Sequence, residues 1–176
     1  PDAFRLLADF LAQETVSDVL ATAMAGFRLV DVVSEHGAVA RGICQVEDGL
    51  LQTVDETVSI QRNGTGFQGL STTGQKVHLS GEETASMNVW AFPQAFFSEL
   101  EHGMKNFGET ASDLRTEEYY LPSAVDEMIR HNRGTARTYQ AQGPWMGITY
   151  REDQPRVVEK IRELVSSGDY PERLWD

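Results

Sequence analysis

The sequence predicts an α/β fold, a mixed sheet flanked by helices. Two observations carry that reading. Strand-like and helix-like stretches intermix along the 176 residues without the strict alternation of a wholly parallel sheet. The stretch 63–80, opened by Asn63-Gly64, has the turn chemistry of an antiparallel hairpin. A chain of this length fits one domain, and 1–176 reads as a single unit with no repeat and no low-complexity linker.

Phe4, Leu7, Phe10 and Leu11 recur at helical spacing behind the start signal Pro1-Asp2, which predicts an amphipathic helix to about Gln13. Thr22 to Val33 is rich in small and β-branched residues and reads as a strand. Gly37 opens a second strand through Val46, and the turn Glu47-Asp48-Gly49 leads into a third from Leu50 to about Gln61. Thr65 to Ser80 follows as a polar excursion with two short strands, and Ala85 to Phe92 is a further strand ended by Pro93. Phe96, Phe97, Leu100 and Met104 mark one face of a helix; Leu121, Val125, Met128 and Ile129 mark the next. Thr135–Ala141 and Trp145–Tyr150 read as short strands separated by Gln142-Gly143-Pro144. The last helix starts near Asp153-Gln154-Pro155, is expected to bury Val157, Val158, Ile161, Leu164 and Val165, and stops at Ser167-Gly168.

Composition narrows the function. With 40% hydrophobic and 24% charged residues the chain has the balance of a globular protein. A net charge of −12 argues against nonspecific nucleic-acid partners and against anionic membranes, since both need a basic surface. A phosphate-bearing ligand must therefore meet a local cluster of donors. The single Cys44 can form neither an intramolecular disulfide nor a cysteine-based zinc site, and its strand-like setting favours a buried, inert thiol. No apolar run approaches a membrane span and no basic-then-apolar segment opens the chain, so the cytoplasm is the compartment expected. His36, His78, His102 and His131 lack ligand-like spacing, and there is no Gly-x-Ser-x-Gly and no phosphate loop.

Several residues could carry chemistry. Gly42 interrupts a good strand, which marks either a bulge or the close approach of a ligand to the backbone. Arg41 beside it either offers a fork of donors to a phosphate or faces solvent on the other side of the pleat. Ser86, Asn88 and Trp90 alternate along one strand and share a face. That face suits a sugar, whose hydroxyls need partners and whose ring stacks on an aromatic; the competing reading puts Trp90 in the core. Glu117, Glu118, Tyr119 and Tyr120 precede a helix, where acidic residues also complement the macrodipole.

Four stretches, Ser86-Met87-Asn88-Val89-Trp90-Ala91-Phe92, Leu121-Pro122-Ser123-Ala124-Val125-Asp126, Gly143 to Tyr150 and Tyr170 to Trp175, together with Gly37 to Cys44, resemble the second half of a bacterial sugar-1-phosphate nucleotidyltransferase. The resemblance implies the C-terminal part of a Rossmann-like, GT-A-like fold and a parent enzyme joining a nucleoside triphosphate and a sugar 1-phosphate into a nucleotide sugar and pyrophosphate. That family opens with a Gly-rich nucleotide loop ending in Arg and Lys, which these residues do not contain, so the chain is expected to be inactive alone. A sheet cut in this way would expose an unpaired edge, and self-association into a homo-oligomer is the expectation.

The resemblance assigns Gly42 to close approach of the sugar ring, with valine there expected to block the ring and spare the fold. Asp55 falls on the position of a carboxylate that binds sugar hydroxyls, and Glu56 on one that is basic in the family. Tyr120 and Glu118 fall on the sugar side of the cleft. Gly147 stands where the family has an Asp that binds magnesium, so no complete magnesium site is expected in this chain. Glu56 and Gly147 keep a second reading open, a non-catalytic domain that binds a sugar phosphate or nucleotide sugar in a regulatory role.

Overall fold

Leu20-Ala-Thr-Ala-Met-Ala-Gly-Phe-Arg28 forms the first strand, β1, and its small side chains let it be covered on both faces. In a computed structural model that describes residues 2–13, 19–142 and 145–173, Thr22, Met24 and Ala25 have almost no exposed surface. Ahead of it, α1 (Asp2–Gln13) buries Leu7. After it come β2 (Val39–Glu47), β3 (Leu50–Asn63), β4 (Gly66–Ser71), β5 (Lys76–Leu79) and β6 (Thr84–Ala91). Then follow α2 (Phe96–Thr110), α3 (Leu121–Arg130), β7 (Gly134–Gln140) and α4 (Gln154–Ser166).

The sheet closes on itself. β1 pairs parallel with β7 and antiparallel with β6; β6 pairs with β2 and β2 with β3. The first residue of β3 returns to β7 through the pair Leu50↔Arg137, and Thr138 N–H donates to Gly49 O at 2.8 Å. Five strands thus make a closed barrel in the order β2-β6-β1-β7-β3, and β4 and β5 extend it from β3.

This overturns the expected mixed sheet flanked by helices and continuing a Rossmann-like layer. The local mixture of parallel and antiparallel pairs is present, but turns and bulges at several places bend the sheet until its ends meet. Asp48 and Gly49, with φ of 50° and 75°, make a two-residue hairpin turn of the kind whose twist matches the strands. The β2–β3 ladder shifts register near Gln45, and the β3–β4 ladder shifts between Val58 and Gln61, where Ser59 has a φ of 55°. Each bulge bends its strand and adds twist, and periodicity in the sequence carries no sign of it.

Two apolar clusters hold the barrel. One collects Leu7, Ala23, Ala25, Phe27, Val39, Ile60 and Phe67; the other joins Met24, Cys44 and Leu51 to Phe96, Val125 and Met128 of α2 and α3. Burial pushes the Cys44 thiol up to about 12. The native protein is therefore expected to resist a maleimide at pH 8 and to label promptly in denaturant; fast native labelling would contradict this packing.

Three further expectations change. α2 turns Phe96, Leu100 and Gly103 inward, with the Tyr119 ring against Gly103, while Phe97 and Met104 are exposed. Residues 145–150 form no strand: Tyr150 Oη donates to Ala38 O at 2.6 Å, and the N–H groups of Thr149 and Tyr150 donate to Asp153. A ladder would have needed those backbone donors. Finally, no residue of α4 is buried: Val157, Leu164 and Val165 are half-buried, Val158 and Ile161 are exposed, and Arg156, Lys160 and Glu163 line a cleft beside the helix. The outermost strand of the sheet, β5, is four residues long and carries Lys76, a residue that blunts edges. Among the described residues no helix is long and apolar enough to cross a membrane.

Candidate functional site

Successive β2 residues face opposite sides of the sheet, which separates two neighbours that the sequence grouped together. Gly42 points with Cys44 toward Val54, Ser86 and Glu56. Arg41 points with Ile43 the other way, toward Trp145. Gly42 is opposite Ser86 on β6 and opposite Glu56 on β3. A Cβ built on Gly42 would lie 2.8 Å from Val54 Cγ1 and 3.5 Å from Ser86 Cβ. Gly42→Val would therefore crowd the barrel itself, and the expectation that it spares the fold is corrected.

Opposite the one residue of β1 between Met24 and Gly26, β6 has three between Ser86 and Trp90. The surplus forms a bulge with Asn88 at its crest, exposed and at a φ of 55°. Left-handed backbone at a non-glycine residue is unfavourable, though Asn tolerates it best, and such bulges re-aim side chains at functional sites. Asn88 N–H donates to Ser86 Oγ at 3.3 Å, and Trp90 Nε1 donates to Asn88 Oδ1 at 3.4 Å. Met87, Val89 and Ala91 pack into the first apolar cluster. Trp90 serves both readings, since it is half-buried and stacks on Phe92, which stacks in turn on Phe96 at 4.0 Å.

The carboxylate beside Gly42 is Glu56. Asp55, the residue assigned there by resemblance, is paired with Ile43, is exposed and accepts from Thr53 Oγ1 at 3.3 Å. A single bulge decides this. Counted back from the Asp48-Gly49 turn a regular ladder sets Asp55 opposite Gly42, and the shift between Gln45 and Val46 moves the pairing by one residue to Glu56. Burial raises the Glu56 carboxyl pKa, partly offset by the Arg41 charge. Tyr120 lies on the same side: its phenol is pushed up chiefly by the hydrogen bond to Glu118, with a smaller push from Glu56. Glu117 is turned away and caps the preceding loop, accepting from Ser112 and Asp113.

Arg41 lies outside this group. Its Nε and Nη2 donate to Val32 O at 2.9 and 2.6 Å, its Nη1 donates to Ala40 O at 2.7 Å, and its guanidinium carbon sits 5.3 Å from the centre of the Trp145 ring. Burial lowers its pKa, with Glu56 opposing. Gly147 lies against the Trp145 ring, where any Cβ would collide with it.

Asp153 works as a cap. Its carboxylate accepts from Tyr150 N–H at 2.8 Å, Thr149 N–H at 3.1 Å and Ser34 Oγ at 3.2 Å, and these bonds, led by that of Tyr150, hold its pKa below the ordinary value. Among the described residues no group of three His, Cys, Asp or Glu side chains converges.

The structure thus brings Gly42, Glu56, Asn88, Trp90 and Tyr120 to one side and leaves Asp55 and Arg41 apart. Gly143, Pro144, Leu174 and Trp175 of the resembling motifs lie outside the described residues, as does Pro1. No protein-family model matches the chain, and no curated protein is significantly similar to it.

Proposed function

We propose that the chain binds a sugar 1-phosphate on the Gly42–Asn88 side of the barrel, as the sugar-facing portion of a nucleotidyltransferase. The closed barrel lends this reading no support through fold; its support is local. The observation that carries it is the β6 bulge, which holds Asn88 exposed in a costly conformation, hydrogen-bonded to Ser86 on one side and Trp90 on the other. Asn88 can donate and accept to a sugar hydroxyl, Trp90 offers a ring edge, and Glu56 and Tyr120 supply an acceptor and a phenol. In the parent reaction a sugar phosphate oxygen attacks the α-phosphorus of the triphosphate, and this chain's part is to orient that sugar.

A second reading is a binding or regulatory domain without transfer activity. It is favoured by Glu56, a carboxylate abutting Gly42 where the resembling family carries a base for the phosphate.

Calorimetric titration with hexose 1-phosphates and the matching free hexoses tests the binding. Asn88→Ala is expected to leave a ligand hydroxyl unpaired and weaken affinity by about 1–3 kcal/mol, while remaining folded with a slightly lower melt, since alanine tolerates left-handed backbone less well than asparagine. No binding, or equal binding by the variant, would refute the site. Coupled pyrophosphate release by the natural gene product separates the readings, since turnover supports transfer and binding without turnover supports the second.

A further inference from the structure

On the other face of β2 a cleft of about 340 Å³ opens between Asp31–Ser34, the segment 145–149 and one side of α4. A neighbouring cleft of about 550 Å³ shares Asp31, Trp145 and Arg156 with it. Their charged groups divide into those already paired and those left over. Asp31 is held by Arg28 at 3.0 Å, Glu163 by Lys160 at 2.7 Å, and Asp153 by backbone N–H groups and Ser34. Arg156 makes no ion pair or hydrogen bond among the described residues, although it lines both clefts. Arg41 is half-buried and bonded only to carbonyl oxygens, which leaves one N–H on each of Nη1 and Nη2 uncommitted. Glu159 is the one carboxylate lining the first cleft that is left without a partner among the described residues. Of the groups lining the first cleft, Arg156 and one N–H on each Arg41 Nη are uncommitted, against Glu159 within the cleft, while Glu56 acts on the Arg41 charge from outside it.

We propose that this cleft binds a small phosphate-bearing anion through Arg156 and Arg41, on the side of β2 opposite Gly42 and independently of the sugar site. The Arg41 fork is set in place beforehand by Val32 O, Ala40 O and the Trp145 ring, so binding orders few side-chain rotors. Arg156, at the start of α4, is the free arm that closes on the anion. Fork-shaped guanidiniums match phosphate oxygens two at a time, and such charge-assisted bonds are about twice as strong as neutral ones. The cleft has room for a phosphate together with a small esterified group.

The test is calorimetric titration of the whole chain with inorganic phosphate and, separately, with glycerol 3-phosphate, at low and at moderate salt. Arg156→Gln is expected to weaken binding about tenfold or more, which corresponds to about 1.4 kcal/mol. Arg162→Gln, a neutralisation on the same helix outside the cleft, is expected to change it less than about twofold. Because Arg156 is exposed, its variant should melt as the parent does. Tighter binding of the ester identifies an esterified ligand and equal binding identifies the free anion; both support the cleft. Absence of binding by either probe at about 10 mM, equal affinity in Arg156→Gln, or an equal loss in Arg162→Gln would overturn it. Asn88→Ala serves as the cross-check: it is expected to leave phosphate binding intact, so failure of the sugar site and failure of this cleft remain distinguishable.

Discussion

Gly134→Val is expected to lower stability by about 3 kcal/mol or more, or to prevent folding. Gly134 opens β7 and pairs with Leu20 at the start of β1. A Cβ there would stand 2.5 Å from Leu20 O and 2.5 Å from Met128 Sδ. Met128 could yield by changing rotamer, although it has no exposed surface and little room in which to do so. Leu20 O cannot yield without opening the first rung of the parallel ladder. Leu20 N–H also donates to Arg133 O at 3.3 Å, so the disturbance reaches the end of α3. Urea melts followed by circular dichroism measure the effect, with Gly134→Ala as a graded companion. A valine variant within about 1 kcal/mol of the parent would mean that β1 and β7 are not packed as described.

The same junction shows which features were legible in the sequence. Helix α3 was readable because Leu121, Val125 and Met128 repeat at helical spacing, and the structure buries Val125 and Met128. The Asp48-Gly49 and Asn63-Gly64 turns were readable because their chemistry demands left-handed backbone, which Gly49 and Gly64 adopt. Closure was not readable. It depends on one rung between Leu50 and Arg137, eighty-odd positions apart in the chain, and on bulges that no pattern of apolar residues announces.

The site inherits that limit. Ser86, Asn88 and Trp90 followed from alternation, whereas the choice of Glu56 over Asp55 turned on a one-residue register shift that sequence alone did not contain. Arg41 and Gly42 could have been parted from the pleat alone, since consecutive strand residues face opposite ways. α4 misled for another reason. Its apolar stripe is real, but only Val157, Leu164 and Val165 of it are even half-buried, and Val158 and Ile161 remain 39% and 42% exposed. Periodicity tells that a helix has an apolar face without telling what lies against it.

Phe96→Ala is expected to destabilise the fold by about 3–5 kcal/mol and to disturb the sugar-facing side at a distance. Phe96 is 1% exposed, at the first position of α2, with its ring parallel to that of Phe92 at 4.0 Å; Phe92 in turn stacks on Trp90 at 5.8 Å. Backbone bonds from Phe96 N–H to Pro93 O and from Phe97 N–H to Gln94 O fix the turn that delivers the ring. The cavity left by alanine would therefore lie beneath Phe92, and because Trp90 donates to Asn88 the loosened stack removes the support of the β6 bulge. Two measurements separate the consequences. The urea midpoint reports the lost packing, and the near-ultraviolet dichroism of Trp90, isolated by comparison with Trp90→Phe, reports the loosened ring under conditions where the variant remains folded. A conservative Phe96→Leu change should recover most of the stability while restoring less of the Trp90 signal, because it refills volume without a flat ring for Phe92 to stack on. A stable Phe96→Ala protein with an unaltered Trp90 signal would show that the stack does not brace Asn88, and the strained bulge would then need another cause.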